Sequence, residues 1–114
     1  MAEKQQNHVS RKAATKAGVL LSANDKLDAA SLATAQTWRV QHLEPTARCF
    51  EALTQCAKHF EGAVVSYRLK RMTSILRKLQ RRNSNFELGA LDDIGGCRLI
   101  VGSVREVYEA AQIL

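Results

Sequence analysis

Three cations and three hydroxyls lie within residues 66–78 at spacings that suit a bound phosphate. Arg68 and Lys70 are two apart. In an extended strand alternate side chains share a face, so both project one way, with Ser66 beside them. Ser74 and Lys78 are four apart and share one face of a helix, opposite Ile75 and Leu79. A chain that leaves such a strand and enters such a helix offers Thr73 and Ser74 in the first turn. That turn also presents unbonded backbone N–H groups and the positive end of the helix dipole, a setting that favours anions. Ordinary capping accounts for the hydroxyls without a ligand. It does not account for Arg68, Lys70 and Lys78 lying together in a stretch that holds no acid.

The charge balance makes the same point over a wider window. The net charge is +6, yet residues 62–86 hold seven basic side chains and no acidic one. Outside that window 10 basic residues face 11 acidic ones, so the excess is local. It marks either a polyanion site or a solvated helix face.

A second cluster is Asp92, Asp93, Ile94, Gly95, Gly96, Cys97 and Arg98. Two carboxylates beside two glycines, just before a strand, suit a hard cation such as Mg2+, which binds through one or two carboxylates plus substrate phosphates. The same composition also makes a turn. Arg98 is out of character for a buried strand. Its planar guanidinium can stack on a base or hold a phosphate. His8, His42 and His59 have no metal-ligand spacing, and the three cysteines read as core or surface residues. There is no Walker A sequence, GxGxxG or zinc knuckle.

Hydrophobic periodicity supplies the elements that would position these groups. Residues 1–24 are polar and weakly patterned and read as a flexible tail or frayed helix. Residues 25–43 have helical composition, with Leu27, Leu32, Trp38 and Leu43 as the inward members. Glu44 and Pro45 mark a break. Residues 46–61 form the clearest amphipathic helix, with Cys49, Phe50, Leu53, Cys56, Ala57 and Phe60 on one face, and Gly62 ends it. Residues 63–70 then read as a strand, 73–82 as a helix, 83–91 as a loop and 98–101 as a second strand. A last helix runs over 104–114, with Val107, Ala110, Ala111 and Leu114 inward. A β-α-β unit over 63–101 suggests two strands in one sheet with the helix packed across it. The fold class is α+β, with a polar tail over 1–24 and one domain over 25–114.

Bulk properties narrow the setting. The chain has 114 residues, room for a single small domain, and 46% of them are hydrophobic. No apolar run reaches spanning length, and no signal-like segment opens the chain. Cys49 and Cys56 lie two helical turns apart, roughly 10 Å, too far to bridge. Unpaired thiols without a signal fit a reducing cytoplasm.

The order Arg68-Leu69-Lys70, Ser74-Ile75, Lys78-Leu79 and Asp93-Ile94-Gly95-Gly96-Cys97-Arg98, followed by an apolar strand, resembles the RelA/SpoT synthetase family. That family makes (p)ppGpp by moving pyrophosphate from ATP to the 3′ oxygen of GDP or GTP, on a nucleotidyltransferase-like fold. The likeness covers residues 62–114. It implies that Arg68 and Arg98 sandwich the adenine of ATP, that Lys70, Ser74 and Lys78 hold its phosphates, and that Asp93 binds Mg2+. Tyr67 stands where the family commonly has glycine, which would crowd the nucleotide or add a stacking surface, and Gly95 stands for a frequent alanine. The acceptor-stacking tyrosine and the catalytic glutamate of the family have no match here and are expected beyond Leu114. The chain is therefore expected to be an incomplete, inactive and marginally folded part of the domain. A two-stranded sheet would leave an open edge through which copies could associate. Two other readings stand beside this one. One is a toxin-like relative acting on adenosine nucleotides or tRNA 3′ ends. The other is a small basic nucleic-acid module using residues 68–82, although few aromatics flank that stretch.

Overall fold

The computed structural model describes residues 8–23, 28–81 and 87–114. It is α+β, and its chain forms two compact units. One joins Met1–His42 to Lys70–Ile94, and the other joins Leu43–Leu69 to Gly95–Leu114. No helix among the described residues is long and apolar enough to cross a membrane.

The first unit contains α1 (Arg11–Ala23), α2 (Ala29–Val40), a later helix over Met72–Leu79 and a 3-10 turn over Leu88–Ala90. The expectation of a flexible tail over 1–24 is corrected for most of its length. Ala14, Ala17, Gly18 and Leu21 of α1 are buried. Small residues dominate that face, so the helix lacks the large-apolar stripe that signals burial in a sequence. Asp28 caps α2, accepting from the Ser31 N–H at 2.9 Å and the Ser31 hydroxyl at 2.9 Å. These bonds favour the ionised carboxylate and hold its pKa below the usual value. Of the inward residues expected near α2, Leu32 and Trp38 are half-buried, Leu43 is exposed and Leu27 lies outside the described residues. The core consists of Leu21, Ala35, Ile75, Leu79, Leu88 and Ile94 with the alanines of α1. The 3-10 turn approaches α1 so closely that a Cβ on Gly89 would lie 2.3 Å from Thr15 Oγ1 and 2.7 Å from the Arg11 carbonyl oxygen.

The second unit contains α3 (Leu43–Ala57), β1 (Val64–Leu69), β2 (Gly95–Ile100) and a C-terminal helix over Val104–Ile113. In chain order the helix over Met72–Leu79 is α4 and the C-terminal helix is α5. Pro45 does not break the chain here. It sits in the first turn of α3, where its missing N–H has no intrahelical acceptor to lose. Gly62, at φ 77°, makes the turn between α3 and β1.

The strands pair antiparallel, from Val64 opposite Ile100 to Leu69 opposite Gly95. This corrects the picture of a helix lying across a β-α-β pair, since α4 packs on α1 within the first unit. The second strand also starts three residues early, because the two glycines pair with Leu69 and Arg68 instead of forming a loop. Helix α3 covers one face of the sheet, and Cys56, Phe60 and Ala110 form a small core with Ala63, Leu99 and Val101. Ser103 caps α5 by accepting from the Glu106 N–H at 3.2 Å, while Glu106 accepts from the Gly102 N–H at 2.8 Å. Of the four α5 residues expected inward, only Ala110 is buried. Val107, Ala111 and Leu114 are exposed, because α5 touches α3 over only one short stretch.

Candidate functional site

In the first unit the backbone of Lys70 is held on both sides. Its N–H donates to the Ile94 carbonyl at 2.6 Å, and its own carbonyl accepts from Arg39 Nε at 2.6 Å. The bond to Ile94 sets neighbouring Asp93 against the Lys70 side chain. Asp93 Oδ2 accepts from Lys70 Nζ at 3.0 Å and from Lys78 Nζ at 3.2 Å, so two lysines share one carboxylate oxygen. The two lysine side chains are 12% and 23% exposed and the Asp93 side chain 40%, so these ion pairs are partly shielded from water. The charge stretch therefore does have an acid to pair with, outside the window that lacks one. Burial pushes the Asp93 pKa up, but hydrogen bonds and charge from both lysines outweigh it and hold the pKa below the usual value.

The other Asp93 oxygen, Oδ1, is buried and has no hydrogen-bond partner among the described residues. A carboxylate with one doubly used oxygen and one unused oxygen has capacity for a further cation or donor. No three His, Cys, Asp or Glu side chains group as a metal site among the described residues. Mg2+ would thus have one protein ligand here, which suits an ion that takes its other ligands from phosphates and water. Asp92 is exposed beside it.

Lys78 stands one turn after Ser74 in α4, and both are half-buried. Arg71 at the N-cap gives no side-chain hydrogen bond, and the first intrahelical bond runs from the Ile75 N–H to the Arg71 carbonyl. The start of α4 is therefore not closed by a capping side chain.

In the second unit the strand alternation is as expected for Ser66 and Arg68, which share the uncovered face of the sheet. Arg98 lies opposite Ser66 on that face, and Gly96 lies opposite Arg68. The two arginines are diagonal neighbours across the antiparallel pair. A Cβ on Gly96 would meet nothing within 4 Å, so the space between the guanidinium stems is open. A shallow depression of about 250 Å³ lies here, lined by Ser66, Tyr67, Arg68, Gly96, Cys97 and Arg98. The Tyr67 ring turns to the covered face and meets Phe50 edge-on, with centroids 4.9 Å apart and planes at 64°. Lys70 lies past the end of β1 and belongs to the first unit.

Sequence reasoning missed Arg39 as the holder of Lys70, since nothing in its local pattern marks it. It also missed Gly96 as the open position opposite Arg68, a role that only the strand register reveals. No protein-family model matches the chain, and no curated protein matches it significantly.

Proposed function

We propose that the chain carries the ATP-binding half of a RelA/SpoT-type alarmone synthetase, on a nucleotidyltransferase-like fold. The parent reaction is transfer of pyrophosphate from ATP to the 3′ oxygen of GDP or GTP. The observation that carries this reading is the convergence of Lys70 and Lys78 on one oxygen of Asp93, with the other oxygen unused among the described residues. A purely structural ion-pair triad would be expected to use both oxygens, because an unpaired buried acceptor is costly.

Catalysis of phosphoryl-group transfer is mainly positioning and neutralisation of charge. Lys70 and Lys78 exchange the Asp93 carboxylate for phosphate oxygens of ATP, and Ser74 donates its hydroxyl to the same phosphates. The free N–H end of α4 adds its dipole. Asp93, released from the lysines, would hold Mg2+. Such an ion would offset phosphate charge. The resemblance assigns the adenine to Arg68 and Arg98, whose planar guanidinium groups can stack on a base. Groups that would bind the acceptor and activate its 3′ hydroxyl are not among the residues that carry the resemblance.

The adenine assignment is tested by titrating the protein with Mg-ATP and with inorganic triphosphate. Arg98→Ala should weaken ATP by roughly 1 kcal/mol, about fivefold, as for one cation–π contact, and leave triphosphate unchanged. Equal weakening of both ligands would assign Arg98 to the phosphates and remove the base-stacking role. Salt-steep binding of RNA or DNA with no preference for ATP would support the basic nucleic-acid module instead.

A further inference from the structure

A pair of thiols stands apart from every group used above. Cys97 faces α3 from β2 and donates its S–H to the Thr46 carbonyl at 3.3 Å. Cys49 is three residues after Thr46, on the same side of α3, which brings its thiol to the neighbourhood of the Cys97 thiol. The surrounding contacts agree with this placement. Tyr67 is the cross-strand partner of Cys97, and Phe50, next to Cys49, packs edge-on against Tyr67. Two consecutive residues of α3 thus sit over two facing residues of the sheet. The thiols differ in access, since Cys49 is exposed and Cys97 is half-buried. The third cysteine, Cys56, is buried and turned away, with its S–H on the Ala110 carbonyl at 3.8 Å.

We propose that Cys49 and Cys97 form a redox modification site, in which a hydroperoxide converts the two thiols into a reversible disulfide joining α3 to β2. Cys49, open to solvent, is the attacking sulfur. Its thiolate attacks one oxygen of the O–O bond, which breaks. The other oxygen leaves as the alcohol, or as water when the oxidant is hydrogen peroxide, taking the proton of the Cys49 thiol. Cys49 is then a sulfenic acid. The Cys97 sulfur displaces its hydroxyl, which departs as water with the Cys97 proton, and the S–S bond forms. Two thiols lose two electrons in total and the hydroperoxide gains them.

Burial first, and then the Cys49 thiol beside it, pushes the Cys97 thiol up from its ordinary pKa. That suits a resolving group which stays a thiol until a sulfenic acid forms next to it. The sulfurs must close to bond distance, roughly 2 Å. Rotation of the exposed Cys49 side chain on the helix surface supplies that movement. The site does not depend on the nucleotide reading.

The test is to treat the full reduced chain with stoichiometric hydrogen peroxide, alkylate the remaining thiols and map the products by tandem mass spectrometry. The expected product is a monomer that has lost two hydrogens, with only Cys56 alkylated. Fragmentation between Cys49 and Cys56 should place the link to the Cys97 peptide on Cys49, and a dithiol reductant should restore all three thiols. Cys49→Ser should leave Cys97 alkylatable after the same treatment. A product with all three thiols alkylated, a link through Cys56, or linkage only between two chains would overturn the proposal.

Discussion

Asp93→Asn removes the one anion that Lys70 and Lys78 share. Each of the two contacts is a charge-assisted hydrogen bond, a type worth about 1.5–3 kcal/mol when well buried. Asp93 is 40% exposed, so screening by water reduces each to about 1 kcal/mol. The variant should therefore lose about 2 kcal/mol at neutral pH, a fall in Tm of roughly 8 °C for a chain of this size. A turn aspartate with no partners would tolerate asparagine with little loss, so the size of the effect separates an ion-pair triad from a turn.

The pH dependence gives a second check. The folded-state pKa of Asp93 lies below its usual value, so its contribution is fully present above the unfolded carboxylate value of about 4. It is lost as pH falls through the lower folded value. Thermal unfolding of both proteins from pH 7 down to acid should show the gap closing below about pH 4. A gap that is absent at pH 7, or that stays constant into acid, would refute the shared-carboxylate account.

Gly89→Ala should destabilise the first unit by about 1–3 kcal/mol, because its Cβ would collide with the Arg11 backbone as well as with Thr15. Chemical denaturation checks it, and unchanged stability would mean that the turn over Leu88–Ala90 is not pressed against α1. A double-mutant cycle over Phe50→Ala and Tyr67→Ala should give a coupling of about 0.5–1.5 kcal/mol. Strict additivity would remove their edge-on contact. Arg39→Ala should lower stability by about 1 kcal/mol through the lost bond to the Lys70 carbonyl, and should also weaken Mg-ATP binding by loosening Lys70. Loss of stability with ATP binding intact would show that Arg39 does not position the site.

The elements carrying the candidate site were legible because their patterns are local. β1 alternates, and α4 places Ile75 and Leu79 on one face with Ser74 and Lys78 on the other, so β1 appears within one residue of its expected bounds and α4 starts one residue and ends three residues before its own. α1 escaped because alanine and glycine bury a helix face without the large side chains that make a periodic stripe. The start of β2 was misplaced because glycine pairs read as turns until a partner strand is known. The cation cluster was visible, but its counter-ion was not. Asp93 meets Lys70 through a backbone bond between Lys70 and Ile94, a long-range pairing that no spacing rule encodes. The nearness of Cys49 to Cys97 was hidden for the same reason.

The central claim is that Lys70 and Lys78 form a specific phosphate site and not a diffuse basic surface. It is tested most directly by calorimetric titration of the chain with Mg-ATP, comparing Lys78→Ala with Arg77→Ala. Arg77 is exposed and adjacent in sequence, so it controls for net charge. Lys78→Ala should cost about 1.5–3 kcal/mol, ten- to a hundredfold in Kd, while Arg77→Ala changes it less than threefold, about 0.6 kcal/mol. Equal losses at both positions, or no saturable binding by the unaltered chain, would contradict the account.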